Sequence, residues 1–552
     1  MPEATPPVVR VIPLGGVGEI GKNITVIECG EDLLILDCGL TFPRDENKFG
    51  VDIVLPDFSY LIANQKRIRA LILTHAHEDH IGAVPYLLRE LKVPQVLATR
   101  FTTALVKAKV DEFGLLDATS WVEVAPENDP VNVGPFELEF VRVSHSIPDG
   151  MAVAIHTPQG TIFHTGDLKL DPSPLDGRPT DLGHIAEIGS DGVALYMADS
   201  TQADVPGHTK SERTLAGPLR DICSKAPGRI IVTCFSSHIH RIQQFLDIAR
   251  EEGRQVCILG RSMTRNTNIA RNLNYMNADG VKLIKPHMVE QLRPEEVIII
   301  CTGSQGEPLA ALSRFAAGVH PAIKPDASDT VIFSSRTIPG NDTRVHSIQN
   351  HLAKVGATLY SSDNAHVHVS GHGSSAELLT LLQLVRPTTF MPVHGEWRHL
   401  RAHSALAQSV GIAESSVLLT ENGSIVELKD GVARITGEFV KVGEQLVDRN
   451  SNDEIVDEVL DERQQAAADG VVVVVMHENS GTLELIARGF VEDETDGVLE
   501  KARTAAEGAL DDIGDARIDE FELAQLLQQS VESSVRGTSR RSPLVVPVVL
   551  AD

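Results

Sequence analysis

His75-Ala76-His77-Glu78-Asp79-His80 directly follows the apolar run Ala70–Thr74. An apolar, β-branched run of this length predicts a buried strand, so the hexapeptide is expected on the loop at a strand end. Its three imidazoles and two carboxylates are donors that suit zinc, and also manganese where carboxylates join. A solvated polar turn is the alternative interpretation, but three clustered histidines argue against it. The hexapeptide therefore predicts a metal site, with Asp79 and His80 turned towards a second ion.

Further residues of ligating type follow other predicted strands. They are His145 after Phe136–Val143, Asp167 after Thr161–His164 and His394 after Thr389–Val393. A lone histidine at a strand end is more often structural than ligating. These three residues are nevertheless candidate ligands, because the hexapeptide needs further ligands from distant parts of the chain.

The pattern of apolar runs predicts several domains. Short β-branched runs dominate the first 200 residues, with helical periodicity at Ile81–Leu91 and Thr102–Phe113, which favours a sandwich of sheets with helices outside. Strand and helix patterns alternate after residue 205, which predicts a parallel sheet. A strand from Val367 to Gly371, a helix over Ser375–Val385, an acidic segment and a small β-β-α-α-β module follow.

Composition excludes some classes of protein. The chain has 552 residues and a net charge of −27, which argues against a nucleic-acid coat protein but not against an enzyme with a local basic groove. The six cysteines contain no CxxC pair, so buried thiols in a reducing compartment are expected. No signal peptide and no apolar run of about 18 residues is visible. We therefore expect a cytoplasmic protein without a membrane span.

The motifs carry a family resemblance. HxHxDH, a distal histidine, Gly-Asp and a last histidine are similar to the metallo-β-lactamase fold, and Asp199, His372 and His394 match the extra motifs of the β-CASP nucleases. The opening Leu-Gly-Gly-Val-Gly-Glu-Ile-Gly-Lys-Asn resembles that of the bacterial ribonuclease J family. This resemblance implies an α/β fold, an αββα metallo-β-lactamase sandwich with an inserted β-CASP domain and a small C-terminal α/β domain. The implied limits are 1–205 and 367–440 for the two parts of the sandwich, 206–366 for the β-CASP domain, 441–468 for a linker and 469–552 for the C-terminal domain.

The resemblance also implies a ligand set. One divalent ion would be held by His75, His77 and His145 and a second by Asp79, His80 and His394, with Asp167 bridging. Zinc is the favoured metal and manganese the alternative. Two such ions about 3.5–4 Å apart can activate a water and neutralise charge on a phosphodiester. His372 would contact the scissile phosphate, unless it is a helix-cap histidine. Asp199 would orient a ligand histidine, unless it is an ordinary acid at a strand end.

Two further motifs involve glycine and serine. Gly16-Val17-Gly18-Glu19-Ile20-Gly21 satisfies GxGxxG, but the segment after it is strand-like, which predicts a turn in a sheet rather than a dinucleotide site. Ser236-Ser237-His238 precedes a helix and favours anion binding, with an ordinary serine N-cap as the alternative. In similar proteins this region forms a pocket for the 5′-monophosphate of RNA. The residues implied here are Ser236, Ser237, His238, His368, Ser370, Gly371 and His372, with Arg336, Arg398 and Arg401 as candidate groove cations.

The expected function is a two-metal ribonuclease that degrades single-stranded RNA in the 5′→3′ direction from 5′-monophosphate ends. The resemblance implies endonuclease activity as well, in rRNA and mRNA maturation and decay, with Asp79, His80, His372 and Asp199 as catalytic residues. A homodimer is expected, and an RNA helicase or a ribonuclease paralogue are candidate partners. The rival functions are a hydrolase of a small thioester or lactone and a non-catalytic RNA-binding scaffold.

Overall fold

The computed structural model describes residues 6–43, 49–307, 309–338, 340–448, 453–477, 480–513, 519–536 and 542–550. The chain divides into two compact units. The first comprises Met1–Phe42 and Val54–Glu444, and the second comprises Pro43–Ile53 and Gln445–Asp552. Within the described residues, no helix is both long and apolar enough to cross a membrane.

An eight-stranded sheet forms one layer of the first unit. The strand before the histidine-rich hexapeptide, Ile68–Leu73, lies inside this sheet and pairs in parallel with Asp32–Leu36 and Gln95–Ala98. The hexapeptide therefore emerges at the same edge as the residues that follow Leu36. The strands, in spatial order, are Val432–Phe439, Ser424–Lys429, Val9–Gly15, Ile24–Cys29, Asp32–Leu36, Ile68–Leu73, Gln95–Ala98 and Ser120–Glu123.

A six-stranded sheet forms the second layer. Gly160–His164, Leu195–Asp199 and Thr389–Val393 run parallel to one another, so the residues that follow them meet at one edge. Aliphatic side chains from both sheets fill the space between the layers, for example Ile72 and Met391. The strands, in spatial order, are Thr389–Val393, Leu195–Asp199, Gly160–His164, Met151–Thr157, Phe136–Arg142 and Val131–Val133.

Helices cover the outer faces of the sandwich, as predicted. Leu381 and Leu382 of one outer helix pack with Phe163 and Tyr196 of the six-stranded sheet. The helices of the sandwich are Ser59–Ala63, Glu78–Ile81, Val84–Glu90, Arg100–Asp111, Leu182–Asp191, Ser375–Val385 and Trp397–Ser409. The αββα fold class is confirmed.

The segment between Leu195–Asp199 and Thr389–Val393 contains the predicted parallel sheet. Its central strands are apolar on both faces because helices cover both sides of the sheet. The strands, in spatial order, are Leu283–Ile284, Gln255–Leu259, Val297–Cys301, Ile230–Thr233, Thr330–Phe333 and Thr358–Tyr360. The helices are Ala216–Lys225, Ile239–Glu252, Arg261–Asn272, Ala311–Ala316 and Asp342–Val355.

The second unit contains a three-stranded sheet in the order Thr482–Arg488, Val471–His477, Leu544–Leu550. One face of the sheet packs on the helices Glu492–Ile513 and Glu520–Arg536 through residues such as Val474 and Leu527. The acidic segment predicted as a linker, 441–468, carries the strands Glu444–Asp448 and Asp453–Glu454 and most of the helix Asp457–Asp469. Residues 449–452 of that segment, and 478–479, 514–518, 537–541 and 551–552 of the predicted C-terminal domain, lie outside the described residues.

Two predicted elements differ from the structure. The helix predicted over Ile81–Leu91 is two helices, Glu78–Ile81 and Val84–Glu90, because Pro85 begins a new helix. The strand predicted from Val367 is wrong. The carbonyl of Val367 accepts hydrogen bonds from the side chains of Arg241 and Ser334, at 3.0 and 2.7 Å, and does not pair with a neighbouring strand.

Candidate metal centre

The first group of side chains consists of three imidazoles. His77 Nδ1 lies 3.1 Å from His75 Nε2 and 3.0 Å from His145 Nε2, so three ring nitrogens face a common point. His75 follows the strand Ile68–Leu73 in the extended chain, and His77 is the N-cap of the turn Glu78–Ile81. This local geometry turns the two side chains of the hexapeptide towards His145 on the other sheet.

Asp167 lies between this group and a second one. Its Oδ2 is 3.5 Å from His75 Nε2 and 3.7 Å from His145 Nε2, while its Oδ1 is 3.3 Å from His80 Nε2 and 3.7 Å from His394 Nδ1. Gly166 reaches this position with a φ of +56°, which favours glycine. The Asp167 carboxylate therefore faces both groups at once.

The second group contains Asp79, His80 and His394. His394 Nε2 lies 3.3 Å from Asp79 Oδ2, and His80 Nε2 lies 3.8 Å from the same oxygen. One ligand atom from each residue, with one from Asp167, falls within a 4.8 Å cluster. Asp79 and His80 reach it because the turn Glu78–Ile81 rotates them away from His75 and His77.

Asp199 and His372 complete the edge of the centre. Asp199 Oδ2 lies 2.7 Å from His372 Nδ1, and Asp199 Oδ1 lies 3.3 Å from His394 Nδ1. The side chain of His372 is 20% exposed, whereas that of Asp199 is 1% exposed. His372 is not a helix cap, because Ser374 caps the following helix. A buried carboxylate thus holds an accessible imidazole beside the two groups.

Outer hydrogen bonds fix the ring orientation of the histidines in the two groups. Three of the partners are hydroxyl groups: Thr74 Oγ1 lies 3.1 Å from His75 Nδ1, Ser146 Oγ lies 3.2 Å from His77 Nε2, and Thr201 Oγ1 lies 2.6 Å from His394 Nδ1. The other two accept from a ring N–H: Asp37 Oδ2 accepts from His80 Nδ1 at 2.8 Å, and Gly371 O accepts from His145 Nδ1 at 2.7 Å. In each ring the other nitrogen is left facing the centre. Metal-ligating histidines are held in the same way.

Sequence reasoning missed four of these supporting residues: Thr74, Ser146, Thr201 and Asp37. Asp37 could have been found, because the apolar run Leu33–Leu36 before it is typical of a strand, and such a strand can lie parallel to the one before the hexapeptide. The other three carry hydroxyl groups, which give no comparable signal in the sequence. Asp37 also accepts a hydrogen bond from Thr74 N at 2.8 Å, which ties it to the start of the hexapeptide.

Electrostatics differ between the two groups. Burial lowers the pKa of His77 to about 4 and lowers the pKa of His145 well below the usual range. Burial would also lower the pKa of His394, but Asp167, Asp199 and Asp79 raise it to about 10. Burial would raise the pKa of Asp167, but His394 and its neighbours hold it well below the usual range. The imidazoles of the first group are therefore neutral, whereas in the second group the neighbouring carboxylates favour the protonated form of His394.

The residues fit a pair of divalent cations. Asp37, Asp79, Asp167 and Asp199 bring four negative charges into the centre, and three of these four residues are buried. Buried carboxylates require compensating charge, and two divalent cations would supply it. Asp167 Oδ1 is buried without a hydrogen-bond partner among the described residues, as a ligand oxygen would be. The donor set of imidazole nitrogen and carboxylate oxygen suits divalent metal binding.

The structure also connects the segments expected to bind a 5′-phosphate. Arg241 is fully buried, pairs with Glu212 at 2.6 and 2.9 Å and donates to Val367 O, next to His368. This links the helix after Ser236-Ser237-His238 to the segment that leads to Ser370 and Gly371. The buried atoms His238 Nε2 and His368 Nδ1 have no hydrogen-bond partner among the described residues.

The serine N-cap alternative is wrong, because His238 is the N-cap of Ile239–Glu252 and makes no side-chain cap bond. Ser370 Oγ accepts a hydrogen bond from His372 N at 3.1 Å. Of the candidate groove cations, Arg398 pairs with Asp204 at 2.6 Å and with Glu396 at 3.1 Å, whereas Arg336 and Arg401 are exposed. The segment after Gly16–Gly21 is the strand Ile24–Cys29 and not a helix, as predicted, and Val17–Gly18 pairs with Gly395–Glu396 beside His394.

Four family models match consecutive parts of the chain. They are the metallo-beta-lactamase superfamily over residues 17–215, the ribonuclease J beta-CASP domain over 227–352, the Zn-dependent metallo-hydrolase RNA specificity domain over 363–416, and the ribonuclease J C-terminal domain over 458–551. The chain is 43% identical to ribonuclease J of Mycolicibacterium smegmatis, over 100% of this chain and 98% of that protein. The chain belongs to the ribonuclease J family.

Other members of the ribonuclease J family are similarly close. The chain is 42% identical to ribonuclease J of Mycobacterium tuberculosis, over 98% of this chain and 97% of that protein, and 40% identical to that of Helicobacter pylori, over 87% and 69%. A crystal structure of an Enterococcus faecalis protein of unknown function shares the fold, with a TM-score of 0.52, 17% identity, and coverage of 76% of this chain and 100% of that one. Membership of the ribonuclease J family, with its RNA specificity domain, makes the chain a metal-dependent ribonuclease that binds RNA.

Proposed function

We propose that this ribonuclease uses two divalent ions to hydrolyse RNA in the 5′→3′ direction from 5′-monophosphate ends, and also cuts internally. The position of Asp167 carries this proposal, because its carboxylate faces a group of three imidazoles on one side and Asp79, His80 and His394 on the other. His75, His77 and His145 would hold one ion, and Asp79, His80 and His394 the second.

Zinc is the favoured metal in both positions. Three neutral imidazoles form a typical zinc environment, whereas a carboxylate-rich second position also accommodates manganese. When bound, the two ions supply an activated water and neutralise charge on the phosphodiester.

The protein's own side chains position the substrate and move a proton. His372 is accessible, and its Nδ1 is engaged by the buried Asp199 at 2.7 Å. This contact fixes the ring and leaves Nε2 for an oxygen of the scissile phosphate. There the imidazole stabilises developing negative charge, and it can donate a proton to the leaving oxygen. Asp199 is a positioning residue for this step and for His394.

The preference for a 5′-monophosphate rests on the region between Ser236 and His238 and on the segment 368–372. The side chain of Arg241 joins the helix that follows the first segment to Val367, which directly precedes the second, and this supports a shared wall for the two segments. Burial and the nearby Arg241 lower the pKa of both His238 and His368, so these neutral imidazoles can donate an N–H from their unpartnered nitrogens to phosphate oxygens. A pocket that accepts one phosphate group at this wall would disfavour a triphosphate.

The test is cleavage of 5′-monophosphorylated, 5′-triphosphorylated and circular RNA by the zinc- or manganese-loaded protein, with a thioester as the rival substrate. We expect stepwise digestion of the monophosphorylated RNA and slower internal cutting of the circle. Asp79→Ala should abolish both activities, while Asp111→Ala on the surface of the same domain should change neither. RNA decay by metal-replete Asp79→Ala protein, or hydrolysis of the thioester alone, would refute the mechanism.

A homodimer is the proposed assembly, with the C-terminal module contributing. The sheet face opposite the two helices carries Ile486, Val473 and Val546 in one row across the strands. Ile486 and Val546 are 40% and 37% exposed, and such apolar rows favour association with a second copy. Sedimentation should show a dimer that Val546→Lys weakens, with Glu500→Lys, exposed on the helix Glu492–Ile513 that covers the other face of the sheet, as the control. An unchanged dimer would remove this face from the interface.

The cellular setting follows from the same family. The six cysteines are buried and unpaired, which supports a reducing compartment such as the cytoplasm. Maturation and decay of rRNA and mRNA are the proposed processes, and an RNA helicase or a ribonuclease paralogue are the proposed partners.

A further inference from the structure

A contact between the inserted β-CASP domain and the sandwich lies close to the metal centre. Tyr275 follows the β-CASP helix Arg261–Asn272, and its hydroxyl group donates to Asp149 Oδ2. The Tyr275 ring also packs on Phe101 with ring centroids 5.0 Å apart. Asp149 belongs to the same loop as His145, four residues further along the chain.

Asp149 is the point at which this loop is anchored. Its other carboxylate oxygen accepts from Arg178 Nη1 at 3.0 Å, and its carbonyl accepts from Thr99 Oγ1 at 3.0 Å. Its side chain is 9% exposed, and its φ of +60° is uncommon for a residue other than glycine. The conformation is therefore held by partners from three separate segments.

The other end of the loop carries His145. Its Nδ1–H donates to Gly371 O at 2.7 Å, and Ile147 in the middle of the loop is buried. A short loop fixed at both ends and in the middle transmits a displacement of Asp149 to the His145 ring, since a packed segment does not deform continuously.

A second contact from the same β-CASP helix supports this path. Arg265 pairs with Glu112, just after the sandwich helix Arg100–Asp111, at the opposite end of the helix from Phe101. The helix Arg261–Asn272 is thus fixed to the sandwich near its middle, and Tyr275 just beyond its end reaches the loop. The position of the β-CASP domain is thereby coupled to the loop that carries His145.

We propose that Tyr275 is a positioning residue for catalysis: its hydroxyl bond to Asp149 holds the His145 loop in the arrangement that binds metal, and so makes metal retention depend on the docked β-CASP domain. This inference rests on the proposed role of His145 as a ligand. Tyr275 lies outside the metal centre, in the β-CASP domain, and loss of its hydroxyl group would weaken binding of the ion held by His75, His77 and His145.

Tyr275→Phe tests the inference because it keeps the ring on Phe101 and removes the hydroxyl group. Tyr60→Phe is the matched control, since Tyr60 OH donates to the Glu28 carboxylate at 2.8 Å in the same sandwich, away from the His145 loop. Amide hydrogen exchange of residues 146–151 should be about tenfold faster in Tyr275→Phe, because losing a bond to a charged group shifts local opening by about that factor. It should be unchanged in Tyr60→Phe.

Cobalt-loaded protein gives a readout of the metal itself. Tyr275→Phe should release Co²⁺ to a chelator several-fold faster than the parent, with a changed visible spectrum, and should lower kcat with little change in KM for RNA. Exchange and Co²⁺ release equal to those of Tyr60→Phe would overturn the inference. If His145→Ala keeps full metal content, the proposed ligand set fails instead, and the exchange result for Tyr275→Phe remains interpretable by itself.

Discussion

At the scale of single residues, the metal centre depends on the groups that hold its imidazoles. Each of the five histidines uses one ring nitrogen for a hydroxyl, carbonyl or carboxylate partner and turns the other inward. The Asp37 contact is the charged one among these partners. Asp37 Oδ2 lies 2.8 Å from His80 Nδ1, and the backbone of Asp37 has a φ of +59°, which is uncommon for a residue other than glycine.

Asp37→Asn should weaken metal binding about 10–100-fold, because it removes the charge that orients and polarises His80 while keeping the side-chain shape. Competition with a chromogenic chelator measures this change. Asp32→Asn on the same strand is the control, since Asp32 pairs with Arg69 near the surface. Equal metal affinity in the two variants would show that Asp37 supports the fold rather than the metal.

Ser237→Trp should slow exonucleolytic digestion of monophosphorylated RNA at least about tenfold and leave internal cutting of circular RNA nearly unchanged. A bulky side chain at this wall blocks the 5′-phosphate but not the metal centre, and tenfold corresponds to the loss of about 1.4 kcal/mol of binding. Ser224→Trp, exposed on another helix of the β-CASP domain, is the control. Equal loss of both activities would exclude a separate 5′-end pocket. Denaturing gels with end-labelled and circular substrates separate the two activities.

At the scale of elements, the sequence predicted the ends of strands better than the paths between them. The runs before His75, Asp167 and His394 were recognised because an apolar strand must be continuous, and parallel strands bring their carboxyl ends together. Arg241 was missed because its partners Glu212 and Val367 lie 29 and 126 residues away. For the same reason Val367 was mistaken for a strand.

Arg241→Met should destabilise the first unit by about 3–5 kcal/mol, because it leaves Glu212 buried without its charge partner. Combining it with Glu212→Leu should recover much of this loss. Arg220→Met, which breaks an exposed pair with Glu251 in the same domain, should change stability little. Chemical unfolding followed by circular dichroism tests this order. A double variant no more stable than Arg241→Met would show that the arginine acts through Val367 O and Ser334 instead.

At the scale of the whole molecule, the sequence could assign each ligand to a strand end but not the support around it. The difference lies in how specific the chemistry of each residue is. The ligands are marked by their own chemistry in recognisable motifs, whereas Thr201 and Gly371 contribute a hydroxyl and a carbonyl that many residues possess. The first unit ends at Glu444, inside the acidic segment 441–468 that the sequence predicts as a linker, and Pro43–Ile53 also belongs to the second unit.

Metal removal should affect the two units differently. The candidate ligands of the two proposed ions lie in the first unit, so a chelator should lower its melting temperature by several degrees. Bound ligand at 1,000 times Kd contributes about 4 kcal/mol. The transition of the second unit should stay where it is. Differential scanning calorimetry with and without EDTA, followed by zinc addition, measures both. A shift in neither transition, or the same shift in both, would argue against two ions in the first unit.

The parallel pairing of Leu195–Asp199 with Thr389–Val393 has a consequence for biosynthesis. His394 joins the other ligands only after the whole insertion has been translated, and domains generally fold from the N-terminus as the chain emerges. The nascent chain therefore lacks a complete set of metal ligands during most of its synthesis on the ribosome, until His394 has been added.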